Sequence, residues 1–322
     1  MRKKICFIAT GGTIASSNQG NGFMPSMAAE SLISAVPQLA AMCDIDFLQL
    51  LQLDSSNLVP QHWQKMAMAV ISRYDDYDGF VISHGTDTMA YTAAALYYML
   101  VNIGKPVVLT GSQLPMENPK TDAKGNLLTA FHTAVSGCPG VFLAFSSHVI
   151  LGNAAKKMYS QEMRAFWSIN QPEAAFWDGE KLIWNEIPLP AGPFHPIIDL
   201  DDRVMTLKLV PGTKPELLKM LADMGYKGIV LETFGAGGVP TDESPLSLLP
   251  AIDYAIRKGV TLVCTTQCTY DGVHLDTYEV GVRALQHGVL SGHRHTVEAL
   301  VAKLMLALAA SDDPQVIAQM MK

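Results

Sequence analysis

Charge is scarce in this chain: 16% of its 322 residues are Asp, Glu, Lys or Arg, and the net charge is −7. A shortage of positive charge excludes the electrostatic footprint needed for nucleic acid or an anionic membrane surface. Cysteine is sparse too: five residues, at positions 6, 43, 138, 264 and 268, include no C-x-x-C pair. That count argues against a disulfide framework and fits a reducing cytoplasm. No apolar run approaches the length of a membrane span. The apolar residues 5–9 that follow the basic Met1-Arg2-Lys3-Lys4 are too few for a secretory signal. Both phosphate-cradling signatures, G-x-x-x-x-G-K-[ST] and G-x-G-x-x-G, are missing. His293-Arg294-His295 has H-x-H spacing but precedes a predicted helix without a nearby Cys or carboxylate partner, so no metal site is expected.

What the chain has is apolar content, 49%, enough for a sizeable core and too much for disorder. Its 17 methionines and low charge also fit surface buried between subunits. Strand-like and helix-like segments alternate throughout. Residues 4–10, 79–83 and 106–110 read as buried strands, and a further strand-like run covers 45–51. Helices are expected after Pro25-Ser26 with Ser26 as N-cap, over 60–74, over 88–102 and over 126–136, with a strand over 141–145. Residues 188–196 hold four prolines and read as an extended connection. A second alternation follows: strands at 204–210, 228–233 and 260–265, with helices at 214–224, 246–258 and about 296–310. The expectation is an α/β protein with a larger N-terminal domain over 1–189, built on a mostly parallel sheet. A linker over 190–206 would lead to a smaller, flavodoxin-like C-terminal α/β domain over 207–322.

Three strands run straight into small hydroxyl and glycine residues: Thr10-Gly11-Gly12-Thr13-Ile14, Ser83-His84-Gly85-Thr86-Asp87-Thr88 and Thr110-Gly111-Ser112-Gln113. In α/β sheets ligands bind beyond the carboxyl ends of the strands, so these endings are the place for chemistry. Thr13 is either a turn and cap residue or a nucleophile, with Gly11 and Gly12 letting a substrate approach the backbone. Residues 16–22 could close over it as a lid. Thr86-Asp87-Thr88 either caps the next helix or binds a carboxylate at its start, or does both. Lys157 is either a solvated loop lysine or a desolvated partner for Thr86 and Asp87. Asp54-Ser55-Ser56 is either a simple turn or a grip for an amino-acid head group.

Taken in order, these segments resemble the bacterial asparaginase/glutaminase family, its short cytoplasmic type I members best. The resemblance rests on the three endings above, on Leu53-Asp54-Ser55-Ser56, and on Tyr74-Asp75-Asp76-Tyr77-Asp78-Gly79-Phe80-Val81-Ile82. It continues through Met89-Ala90-Tyr91-Thr92, Gly104-Lys105-Pro106-Val107, Gly152-Asn153, Lys157 and Thr266-Gln267-Cys268. It implies hydrolysis of L-asparagine to L-aspartate and ammonia through an acyl-enzyme, with no metal or organic cofactor. Thr13 would be the nucleophile, and Thr86, Asp87 and Lys157 a second catalytic group. Ser55 and Asp87 would hold the substrate's α-carboxylate and α-ammonium, with Asp54, Gly12, Gly85 and Ser112 completing the binding site. A homodimer or homotetramer is implied, with a small molecule as partner and neither nucleic acid nor membrane.

The chain departs from the family pattern in places. Where the family lid carries Gly-Tyr-x-Pro, this chain has Gly22-Phe23-Met24-Pro25, and no tyrosine precedes Tyr74. Phe has no proton to exchange. The family's Gly-x-Gly-Asn run reads Gly235-Ala236-Gly237-Gly238, without the Asn. Glu232-Thr233-Phe234-Gly235 stands where some type I members have Arg-Ser-Tyr-Gly, and Lys156 precedes Lys157 in place of Thr, which puts an effector site for asparagine in doubt. Two alternatives stay open: a glutaminase-asparaginase or other small-amide hydrolase, and a catalytically weakened amino-acid-binding protein.

Overall fold

The structure, a computed structural model, describes residues 2–18 and 23–322. The lid expected over 16–22 therefore falls mostly outside the described residues, as does Gly22 of its motif. The chain divides into two compact units, Met1–Ile198 and Asp199–Lys322.

The larger unit is built on an eight-stranded sheet. Five strands form its parallel part: β1 (Lys4–Gly11), β2 (Asp44–Leu53), β3 (Gly79–Ser83), β4 (Pro106–Thr110) and β5 (Gly140–Phe145). Their order across the sheet is β2-β1-β3-β4-β5. From β1 the chain moves to one side, then crosses to build outwards on the other. The carboxyl ends of β1 and β3 therefore flank a topological switch point, where the loops diverge and leave a crevice. The β1, β3 and β4 side chains are almost wholly buried, as expected of parallel strands covered on both faces. Three antiparallel strands, His148–Leu151, Ala175–Trp177 and Leu182–Trp184, extend the β5 edge.

The carboxyl rim of this sheet is tied sideways by its own threonines. Thr10 Oγ1 donates to the Ser83 carbonyl at 2.7 Å, linking β1 to β3. Thr110 Oγ1 donates to the Ala144 carbonyl at 2.9 Å, linking β4 to β5. Both hydroxyls are buried, so each satisfies a polar group that solvent cannot reach.

Helices follow the expected segments with shifted ends: Pro60–Ile71, Met89–Met99 and Ala123–Val135 in the larger unit. Ser26 is not a cap. The helix after it is Ala29–Ser34 with Ala28 at the N-cap, and the Ser26 hydroxyl pairs with Ser17 Oγ at 2.7 Å. Of the span read as a lid, Ser16–Asn18 is a strand that pairs antiparallel with Phe23–Pro25. Within the span read as a connection, His195–Pro196 pairs with Leu100–Val101, and Val204–Lys208 is already a strand.

The smaller unit carries a parallel sheet of four strands lying in chain order: Val204–Lys208, Gly228–Thr233, Thr261–Thr266 and Leu290–Ser291. The 2-1-3-4-5 order of flavodoxin-type sheets belongs instead to the parallel strands of the larger unit. The apolar helix Val297–Ala310 is capped by Thr296, whose hydroxyl accepts from Ala299 N at 3.1 Å.

Candidate active site

The crevice at the switch point is shaped by close backbone approach. In its pairing with β2, β1 shifts register between Ala9 and Gly11, a bulge of the kind that re-aims a chain beside a site. Gly11 and Gly12 take φ values of 105° and 81°, open to glycine and strained for other residues. Gly12 N donates to the Leu53 carbonyl at 3.0 Å, which fixes the turn against the end of β2. A Cβ on Gly12 would run into the Gly85 backbone, and one on Gly85 would lie 2.6 Å from Ser55 Oγ. The loops after β1 and β3 thus meet glycine to glycine, and the Ser55 side chain from the loop after β2 packs against Gly85. Thr13, half-buried, opens a short 3-10 turn, Thr13–Ala15, at the mouth of this junction.

Ser55 is 2% exposed, and its carbonyl accepts from Thr88 Oγ1 at 2.8 Å, so the β2 loop is tied to the start of the helix after β3. Asp54 is exposed; its carboxylate accepts from Ser56 N at 2.8 Å and shapes the turn that presents Ser55.

Thr86, Asp87 and Lys157 come together. Lys157 Nζ donates to Thr86 Oγ1 at 2.8 Å and to Asp87 Oδ1 at 2.6 Å. The lysine side chain is 16% exposed and the Asp87 side chain 60%, so the charge pair runs from the interior to the surface. Lys157 reaches this position from Ala155–Lys157, a strand paired with Phe166–Ser168. Seventy residues separate it from Asp87. An ammonium that donates to a hydroxyl draws density from its oxygen and makes its proton easier to give up. Thr86 in turn donates to Gln113 Oε1 at 3.3 Å, and Gln113 Nε2 donates to the carbonyls of Ser160 and Glu162 at 3.2 and 3.1 Å.

Ser112 sits at the third strand end, but its hydroxyl is wholly buried and donates to the Leu114 carbonyl at 2.5 Å. It closes the loop after β4. That loop has two further holders which sequence reasoning missed. The Asp122 carboxylate accepts from Gln113 N, Leu114 N and Asn126 Nδ2. Asn126, 1% exposed, also donates to the Gly111 carbonyl at 2.9 Å and accepts from Ser146 N at 2.7 Å. An Asp at a helix start reads as a cap. The available signal was an Asn that shares its helix face with Leu127, Thr129, Ala130 and Thr133 and must find partners if buried.

The ionisable group beside the site with a clear shift is His84. Burial holds its imidazole down at about 4, with a hydrogen bond to the Gly85 carbonyl opposing that effect, so the ring is neutral near pH 7. In the smaller unit the run 234–238 closes a tight turn, with Gly238 N donating to the Phe234 carbonyl at 2.8 Å.

Residues 4–189 match the family described as asparaginase, N-terminal, and residues 203–321 match the glutaminase/asparaginase C-terminal domain. The chain is similar to the L-asparaginase of Thermococcus kodakarensis, 40% identical over 326 residues that cover 99% of this chain and 97% of that protein. It is similar as well to the L-asparaginase 1 of Escherichia coli K12, 34% identical over 331 residues, 100% of this chain and 96% of that protein. Among solved structures, the thermostable L-asparaginase from Thermococcus kodakarensis superposes with a TM-score of 0.92 at 39% identity, over 99% of this chain and 96% of that one. A parallel sheet whose switch point carries threonines from two strand ends, and two matches that together span nearly the whole sequence, place this chain in the asparaginase family.

Proposed function

We propose that this chain hydrolyses the side-chain amide of L-asparagine to L-aspartate and ammonia, with Thr13 as nucleophile. The observation that carries this reading is the Thr86–Lys157–Asp87 hydrogen-bonded chain, set at the switch point beside the loop that presents Thr13. Thr13 Oγ adds to the amide carbon, and its proton passes to the amide nitrogen as the carbon–nitrogen bond breaks. Ammonia leaves, and the aspartyl group remains on Thr13 as an ester. Water then adds to the ester, aspartate departs, and the Thr13 hydroxyl is restored. The Thr86 hydroxyl, polarised by Lys157, relays the proton of the first step: it gives its own to the departing nitrogen and takes up the one from Thr13. Ser55 and Asp87 hold the α-carboxylate and α-ammonium, supported by Asp54. The bare backbone of Gly12 and Gly85 gives the substrate room, and Ser112 keeps the wall loop in shape.

A wider specificity that includes L-glutamine is the second reading, favoured by the C-terminal match to a family described as glutaminase/asparaginase. One methylene is worth about 1–3 kcal/mol of discrimination, and the same groups serve both amides. The proposal extends to a cytoplasmic, type I, homo-oligomeric enzyme without cofactor. Five free cysteines support the compartment. Leu217, Met220 and Met224, exposed at 45%, 57% and 70% on and just after the helix Glu216–Asp223, support burial against another copy. Ammonia release from asparagine and glutamine by the parent and by Thr13→Ala tests the chemistry, and light scattering after gel filtration tests the assembly. A Thr13→Ala protein as active as the parent removes the nucleophile. A parent that binds asparagine without releasing ammonia makes the chain a binding protein.

A further inference from the structure

The loop that carries Thr86 and Asp87 is held from behind by a buried chain of three side chains. Trp63 Nε1, on the helix Pro60–Ile71, lies 3.1 Å from Thr92 Oγ1, on the helix Met89–Met99. Thr92 Oγ1 lies 2.8 Å from His84 Nε2, and His84 Nδ1 lies 2.7 Å from the Gly85 carbonyl oxygen. His84 and Thr92 are wholly buried and Trp63 is 6% exposed, so water does not compete for these bonds.

The ends of this chain fix its direction. An indole N–H only donates and a carbonyl oxygen only accepts. His84 Nδ1 must therefore carry the proton given to Gly85 O. In a neutral imidazole that leaves Nε2 as acceptor, and the single Thr92 proton goes to it. Thr92 oxygen then has its lone pairs free for Trp63. Each group has one role, and no second arrangement of a neutral ring satisfies all three bonds.

We propose that Trp63, Thr92 and His84 form a one-way hydrogen-bond relay whose task is to set the Gly85–Thr86 peptide plane, making His84 a positioning residue for the reaction. This rests on the asparaginase reading above. The peptide is planar and trans, so drawing the Gly85 carbonyl toward His84 turns the Thr86 N–H the opposite way. It also fixes the Cα from which the Thr86 hydroxyl reaches Lys157. Gly85 has no side chain to hold this plane, and a Cβ there is excluded by Ser55. The histidine supplies the missing restraint. The pattern is legible in sequence as a His immediately before the Gly-Thr-Asp-Thr run, with a Thr eight positions on.

Three variants probe the relay without touching the crevice: Trp63→Phe removes the first donor, Thr92→Val the middle group, and Thr92→Ser keeps it. Expected are a drop in kcat of roughly tenfold or more for Thr92→Val, with KM little changed, a smaller drop for Trp63→Phe, and recovery in Thr92→Ser. A 1 Å displacement of a catalytic group can cost about 10²-fold, which sets the scale. The 15N spectrum of histidine-labelled parent gives a second readout, with the His84 proton on Nδ1. Parent-like kcat in both Thr92→Val and Trp63→Phe overturns the relay, and so does a proton on Nε2. If Thr92→Val does not fold, Trp63→Phe and the spectrum still decide. A parent that releases no ammonia sinks the asparaginase reading by itself, and the position of the His84 proton then tests the relay separately.

Discussion

Gly85→Ala is a sharp test of the glycine-to-glycine junction. The added Cβ would lie 2.6 Å from Ser55 Oγ, 2.8 Å from Ser55 Cβ and 3.2 Å from Gly12 Cα. Ordinary contact begins at 3.4 Å, so the serine must retreat by 3.4 − 2.6 = 0.8 Å. Ser55 is 2% exposed and its carbonyl is held by Thr88, so it retreats only by carrying its turn along. Overpacking of this kind costs about 1–3 kcal/mol, or roughly 2–4 °C of Tm per kcal/mol for a unit of this size. The functional loss is larger than the loss of stability suggests. A displacement approaching 1 Å in a substrate-holding group costs about 10²-fold in kcat/KM. Gly125→Ala is the control: Gly125 lies in the helix Ala123–Val135 with nothing within 4 Å of its added Cβ. It should stabilise by roughly 0.4–1 kcal/mol and leave activity alone. Thermal unfolding and ammonia-release kinetics on both variants make the comparison. A Gly85→Ala enzyme with parental kcat/KM refutes the geometry claimed for the junction.

Lys157→Met keeps an unbranched apolar stem, one atom shorter, but removes the donor to Thr86 and the partner of Asp87. It should fold and lose about 10²–10⁴ in kcat, and an active variant removes Thr86 polarisation from the mechanism. Phe23→Tyr places a hydroxyl where the family lid has one, and a rise in kcat assigns that position to the proton path; an unchanged rate takes it out. Stability should fall as pH drops from about 6.5 toward 4. Burial holds both His84 and His295 at about 4, with the Lys303 charge also lowering His295. The unfolded chain therefore takes up protons over that window which the folded one refuses, at a cost of up to about 3 kcal/mol for each histidine. Urea midpoints at pH 7 and 4.5 measure this, and a His295→Gln protein with the parent's pH dependence contradicts the assignment for that residue.

The strands at 79–83 and 106–110 were legible to the residue, because each is an apolar run closed by a polar or glycine residue and buried on both faces. The start of the helix at Ala29 was not. Ser26 looks like a cap, but the backbone N–H groups of Ser26 and Met27 both bond to the Ala15 carbonyl, and its hydroxyl pairs with Ser17. The antiparallel edge after β5 left no mark either, since strands of three or four residues are too short to show a period. At the site, the endings pointed to Thr13, Thr86 and Asp87, whereas the closeness of Lys157 to Thr86 depends on the strand Ala155–Lys157 and has no local signal. The holding role of Asp122 had no signal beyond that of a cap, because the Gln113 and Leu114 N–H groups it accepts from lie across a loop.

The threonines that tie the rim of the sheet bear on how such a protein can change over time. Thr10 and Thr110 lock the strand ends to their neighbours from inside the core, so the frame from which the loops hang does not depend on the loops themselves. A side chain on residues 54–57 or 112–121 that makes none of the contacts described above can therefore change while the attachment points stay fixed. Substrate preference in this architecture is a peripheral property, open to substitution without refolding the centre.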